Sequence, residues 1–134
     1  GAYVMAEASG GAPDVILVAT GSEVAIAVVA RHELEARKIG TRVVSMPCRE
    51  WFDRQPEAYR DSVLPPSIRA RVSVEAGVGQ GWRDIVGDAG QIVSIEHFGA
   101  SADGATLFRE FGFTPAAVVT AARASIIAAK AGAR

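Results

Sequence analysis

The sequence predicts an α/β domain of three layers, with helices on both faces of a mostly parallel five-stranded sheet that has one antiparallel edge strand. Three observations predict it. Asp14-Val15-Ile16-Leu17-Val18-Ala19 is a continuous β-branched and apolar run, the pattern of a strand covered on both faces as in a parallel sheet. Strand-like runs then alternate with helix-like segments, which calls for parallel strands joined by helical crossovers. The 134 residues suit one domain with a real core. All of 1–134 reads as that domain, with 1–13 as an opening strand and loop and 128–134 as a frayed tail.

Tyr3-Val4-Met5 supplies the edge strand. Ser9-Gly10-Gly11 is a loop too short to link domains. After the central run, Thr20-Gly21-Ser22 breaks the strand; Ser22 is placed to cap a helix, and Glu23 puts negative charge in its first turn. That helix is expected to reach about Lys38 and stop at Gly40. Ile26, Ala27, Ala30 and Leu34 share its sheet-facing side, with His32 and Glu35 opposite. Val28 and Val29 fall outside the stripe, so some apolar surface is expected to be exposed there.

Arg42–Met46 is the next strand, ending at Pro47. Glu57–Leu64 is a short helix closed by Pro65-Pro66. Arg71–Glu75 is a strand, Gln80–Val86 a short helix carrying Trp82, Gln91–Ile95 a strand, and Ala105–Phe111 a helix ended by Gly112. In the last helix Thr114 is the cap and Pro115 the first helical residue. Phe113 and Val118 are spaced for a hydrophobic staple across that cap. The helix is expected to run through Ile127.

Composition excludes several functions. The net charge of −1 gives no attraction to nucleic acid or an anionic bilayer. No apolar run approaches the roughly 20 residues of a membrane helix, and the first residues lack a signal-peptide layout. One cysteine, Cys48, allows no internal disulfide and fits a reducing, cytoplasmic setting. The chain begins Gly1-Ala2-Tyr3, and Met5 falls inside the first predicted segment. It therefore reads as processed or as a fragment of something longer.

No complete catalytic set is legible. Thr20, Gly21 and Ser22 stand where a strand end meets a helix N-terminus, and two readings stay open: an anion-binding loop or a capped turn without a ligand. Gly77-Val78-Gly79-Gln80-Gly81 fails the dinucleotide fingerprint because Trp82 takes the place of the third glycine. Trp82 itself is expected in a core or an interface. Cys48 and His97 could form a nucleophile–base pair, but they fall on different loops. Neither they nor His32 have a metal-ligand spacing. Gly87-Asp88-Ala89-Gly90 is not a metal–diphosphate motif, and most of the scattered arginines are expected in ion pairs at the surface.

Several segments together resemble the C-terminal domain of transketolases. They are Asp14–Val24, with Ala19-Thr20-Gly21-Ser22-Glu23 at its centre, then Arg42–Pro47, Phe52–Gln55, Tyr59–Pro65, Val74–Gly77, Phe98–Ser101 and Leu107–Thr114. Gly1-Ala2-Tyr3-Val4 also resembles the start of that domain. The segments span nearly the whole chain, in order. The resemblance implies a parent enzyme that moves a two-carbon ketol unit between sugar phosphates as a homodimer. It would use thiamine diphosphate with Mg²⁺ or Ca²⁺. The catalytic and cofactor-binding residues belong to the parent's other two domains, so none is carried onto this chain, where no cofactor or metal is expected. This domain would pack on those two domains, support the dimer or offer a surface to a regulator. Two alternatives stay open: the equivalent domain of a related thiamine enzyme, and a small-anion-binding regulatory module at Thr20–Glu23.

Overall fold

A computed structural model describes residues 1–133. Tyr3–Ala6 (β1), Val15–Ala19 (β2), Thr41–Ser45 (β3), Arg71–Val74 (β4) and Gln91–Val93 (β5) form one sheet in the order β1-β3-β2-β4-β5. β1 runs antiparallel to β3 at the edge, and every other pairing is parallel. The mixed, mostly parallel sheet is therefore as the sequence predicts. β2 lies at the centre, and all five of its residues are buried, which is why its sequence shows no polar alternation.

The two faces of the sheet carry separate cores. Val15, Leu17, Ala19, Val43, Val72 and Val74 pack on one face. There they meet Glu23–Ala36 (α1) through Ala27, Ala30 and Leu34, and Pro115–Ala131 (α6) through Val118, Val119 and Ala122. Ile16, Val18 and Val44 point the other way, as the period of two in a strand requires. They meet Arg49–Asp53 (α2), Glu57–Val63 (α3) and Arg83–Val86 (α4) through Phe52, Val63 and Ile85. Gly104–Glu110 (α5) completes the chain order before α6 and adds Phe108 to the first core.

The crossovers set the ligand edge. β2 leads into α1 on one face, whereas β4 leads into α4 on the other. The β2/β4 boundary is thus the point where connections depart in opposite directions. In open α/β sheets the crevice outside the C-terminal strand ends at such a point is the usual binding place.

Two arginines close the end of α3. Pro65 and Pro66 stop that helix, leaving its last carbonyls without intrahelical donors. Arg42, from β3, donates to Ser62 O at 2.8 Å and Val63 O at 2.9 Å and forms an ion pair with Glu7 at 2.7 Å. Arg71, from β4, donates to Leu64 O at 3.2 Å and Pro65 O at 3.0 Å. It also reaches Ile68 O and Ile85 O, both at 2.9 Å. Cations at a helix C-terminus also complement its dipole. On the opposite face Ser125 of α6 is fully buried; it accepts from Arg71 N at 2.9 Å and donates to Ala89 O at 2.8 Å.

Several boundaries differ from the sequence expectation. Ser22 does not cap α1: its backbone is helical and its side chain makes no cap bond. Instead Glu23 N and Val24 N bond back to Thr20 O and Gly21 O as a tight first turn. α1 ends at Ala36, and the left-handed residue is Lys38 (φ +63°) rather than Gly40. Ile39 N bonds to Leu34 O and Lys38 N to Glu35 O, the paired bonds of a Schellman ending, which requires that conformation two residues after the helix. Gly40 is small for another reason: a side chain there would press on Asp14 Oδ2.

Other shifts have equally local causes. α2 is an element without a sequence counterpart. α4 starts at Arg83, with Trp82 at its cap position. β5 ends at Val93, and Ile95 N turns to Gly77 O. α5 starts at Gly104 because the Asp103 carboxylate accepts from Thr106 N. Thr114 does cap α6, accepting from Ala117 N at 3.2 Å. α6 continues past Ile127 to Ala131, so the residues assigned to a frayed tail are helical that far.

The stretch Gly104–Ala131 is apolar and long enough, by length and composition, to cross a membrane. Phe111, Gly112, Phe113 and Thr114 nevertheless divide it into two helices, and α6 lays Val118, Val119 and Ala122 on the sheet.

Candidate functional site

A cleft of about 370 Å³ opens at the C-terminal ends of β2, β3 and β4. Thr20 enters it from β2, Met46 to Glu50 from β3, Glu75 from β4, and Gln80 to Trp82 from the glycine-rich loop. The fold alone brings these together, since consecutive contributors lie far apart in sequence.

Five of its polar side chains, those of Cys48, Arg49, Glu50, Glu75 and Trp82, are already hydrogen-bonded. Trp82 is 8% exposed and donates from Nε1 to Glu75 Oε2 at 2.6 Å, so its ring closes the second core while its N–H reaches the cleft. Arg49 pairs with Asp84 at 2.8 Å and Asp53 at 3.5 Å and donates to Gly81 O. The Asp84 hydrogen bond, above all, holds its guanidinium more firmly protonated than usual. The Cys48 thiol donates to Glu50 Oε2 at 3.5 Å. Glu50's carboxyl sits below the ordinary range because its own backbone N–H and then that thiol bond its charged form.

The three candidate anion binders part company. Thr20 lines the cleft, whereas Gly21 (φ +56°) and Ser22 lie on the exposed turn. Ser22 Oγ donates to Glu23 Oε1 at 3.0 Å, and Glu23 is only 5% exposed. The Glu23 side chain thus lies buried in the first turn of α1.

His97 lies elsewhere. It lines a separate hollow with Val78, Glu96 and Phe98, its Nδ1 2.7 Å from Phe98 O and its ring edge-on to Phe111 at 4.6 Å. Cys48 and His97 therefore line different pockets. Glu96 ties the two loops of this region, accepting from Gly79 N at 2.8 Å and Ser94 Oγ at 2.6 Å. Phe98 is 98% exposed and Val78 61%. Sequence reasoning missed the Trp82–Glu75 bond and the Phe98 surface; the one signal available was an aromatic flanked by Gly99 on a strand-end loop. Val29 is 46% exposed and Val28 half-buried.

The family model described as the transketolase-like TK C-terminal domain matches residues 1–114. A transketolase of Mycobacterium leprae is 68% identical over 110 residues, covering 82% of this chain and 16% of that protein. One from Mycobacterium tuberculosis is 58% identical over 130 residues, covering 94% and 19%. The solved transketolase from Leishmania mexicana superposes with a TM-score of 0.84 at 40% identity, covering 94% of this chain and 18% of that one. The chain spans less than a fifth of the length of each of these three relatives. With the sheet order and the family match in agreement, the chain belongs to the transketolase C-terminal domain family.

Proposed function

We propose that this chain is the third domain of a transketolase, serving the enzyme by packing against its other domains and supporting the dimer. The parent would transfer a two-carbon ketol unit between sugar phosphates, using thiamine diphosphate and a divalent metal held by those other domains. The observation that carries this reading is Phe98, whose ring is almost wholly in water beside exposed Val78 at the C-terminal sheet edge. A bare aromatic next to a second apolar residue marks a surface that a partner covers. The names of the relatives, and the small share of their length that this chain spans, support the rest of the parent as that partner.

The residues present do not fit the cofactor. Asp88, the acid of Gly87-Asp88-Ala89-Gly90, is held by Arg69 at 2.6 Å and accepts from its neighbour Ala89 N. Among the described residues no three His, Cys, Asp or Glu side chains converge as a metal site. Cys48 is a free, partly exposed thiol, which suits a reducing compartment and supports a cytoplasmic placement. One relative, from potato, is named as chloroplastic.

Calorimetry of this chain with thiamine diphosphate and Mg²⁺ tests the assignment. The expected result is no binding and no ketol transfer by the chain alone. Stoichiometric binding that depends on Mg²⁺ would overturn the reading.

A further inference from the structure

We propose a second binding site at the opposite end of the sheet, in a hollow between the C-terminal ends of α1 and α6, and that it takes a small organic dianion. The hollow holds about 300 Å³. Lys38, Arg123 and Lys130 line it, and the one carboxylate among its lining residues is Asp14, whose Oδ2 already accepts Gly40 N at 2.7 Å. Among the described residues no carboxylate pairs with any of the three cations.

Three cations against one carboxylate leave the hollow with a local excess of positive charge in a chain of net charge −1, and a dianion neutralises it. The walls favour an organic anion over a bare inorganic one. Ile39 and Ile126 are half-buried there, and Ile127 is 68% exposed, so a short aliphatic body has apolar surface to cover.

Lys38 supplies an independent observation. It holds the left-handed position of the Schellman ending of α1. The same motif ends α5 with a glycine: Phe113 N bonds to Phe108 O, Gly112 N bonds to Arg109 O, and Gly112 has φ +81°. A lysine in that conformation is strained where glycine is not. Strain kept at a position that presents a charge to a hollow is the pattern of a functional residue.

The test is a titration of the full chain with glutarate at low ionic strength, followed by amide NMR, with sulfate as the inorganic comparison. Lys38→Gly, Arg123→Ala and Lys130→Ala are titrated alongside, after thermal melts confirm that each is folded. The expected result is saturable one-site binding in the millimolar range or tighter, moving the Ile39, Ile127 and Lys130 amides. Each variant should bind about tenfold more weakly, the loss of one charge-assisted contact, and sulfate should bind more weakly than glutarate. Lys38→Gly should lose affinity while gaining stability. Absence of saturable shifts, unchanged affinity in the variants, or sulfate binding as tightly as glutarate would each overturn the proposal.

Discussion

Replacing Arg71 tests how the two arginines hold the second layer. Its guanidinium donates to four carbonyls, those of Leu64, Pro65, Ile68 and Ile85, at 2.9 to 3.2 Å. These bonds fasten the end of α3 and the body of α4 to the start of β4. Arg71→Met keeps much of the stem's packing but removes every donor. At about 1 kcal/mol net for each bond, the loss is about 4 kcal/mol. Burial pushes the Arg71 guanidinium below its usual range, so its charge carries a desolvation cost that Met does not. The offset brings the expected destabilisation to about 2–3 kcal/mol. Arg71→Lys separates geometry from charge, because an ammonium is a point donor and cannot span the four acceptors as a planar fork does. It should fall within about 1 kcal/mol of Met. Urea unfolding followed by far-UV circular dichroism reads the effect as a midpoint shift on the order of 1–2 M. Wild-type stability in Arg71→Lys would refute the fork geometry as the cause, leaving only charge at a helix end.

Three further outcomes follow from particular residues. Lys38→Gly relieves a left-handed lysine and should raise stability by about 0.5–1 kcal/mol, read as a higher urea midpoint; a loss would mean that the side chain's packing outweighs the strain. Ser73 Oγ is buried without a partner, so Ser73→Ala should be neutral or stabilising by up to about 1 kcal/mol; a loss beyond that would show a bond the hydroxyl makes. Glu35 accepts Thr41 N at 2.8 Å and Ser9 N at 3.2 Å, and the Thr41 bond chiefly holds its carboxyl below the usual range. A carboxyl depressed in the folded state adds stability above its unfolded value, and that stability is lost as pH falls through the folded value. Glu35→Gln should therefore flatten the stability profile between about pH 5 and pH 3; an unchanged acid slope would show that Glu35 does not contribute.

The parts of the fold legible in the sequence are those with a one-dimensional signal. Val15–Ala19 shows its double burial directly, and the Thr114-Pro115 pair announces the start of α6. The antiparallel edge strand is legible in Tyr3–Met5. α2 is not, because between Pro47 and Pro56 only Phe52 anchors it to a core, too little for a periodic pattern. The end of α1 misleads for a physical reason. Glycine marks most left-handed endings, but here the Schellman bonds place that conformation on Lys38, and Gly40 is needed for its contact with Asp14. The cleft is opaque because Thr20, Cys48 and Glu75 come from three strand ends whose adjacency depends on strand order. Ser22 shows the limit of a cap rule, since its hydroxyl binds the neighbouring Glu23 carboxylate instead of the helix backbone.

Titrating this chain into the remaining domains of the proposed transketolase parent, expressed separately and followed by calorimetry, measures directly whether the chain is a docking domain. The Phe98 surface predicts saturable one-to-one binding, at least about tenfold weaker for Phe98→Asp, while the melting temperature of the isolated chain stays the same because that ring packs on nothing within it. Binding unaffected by Phe98→Asp, or no binding at all, would contradict the account.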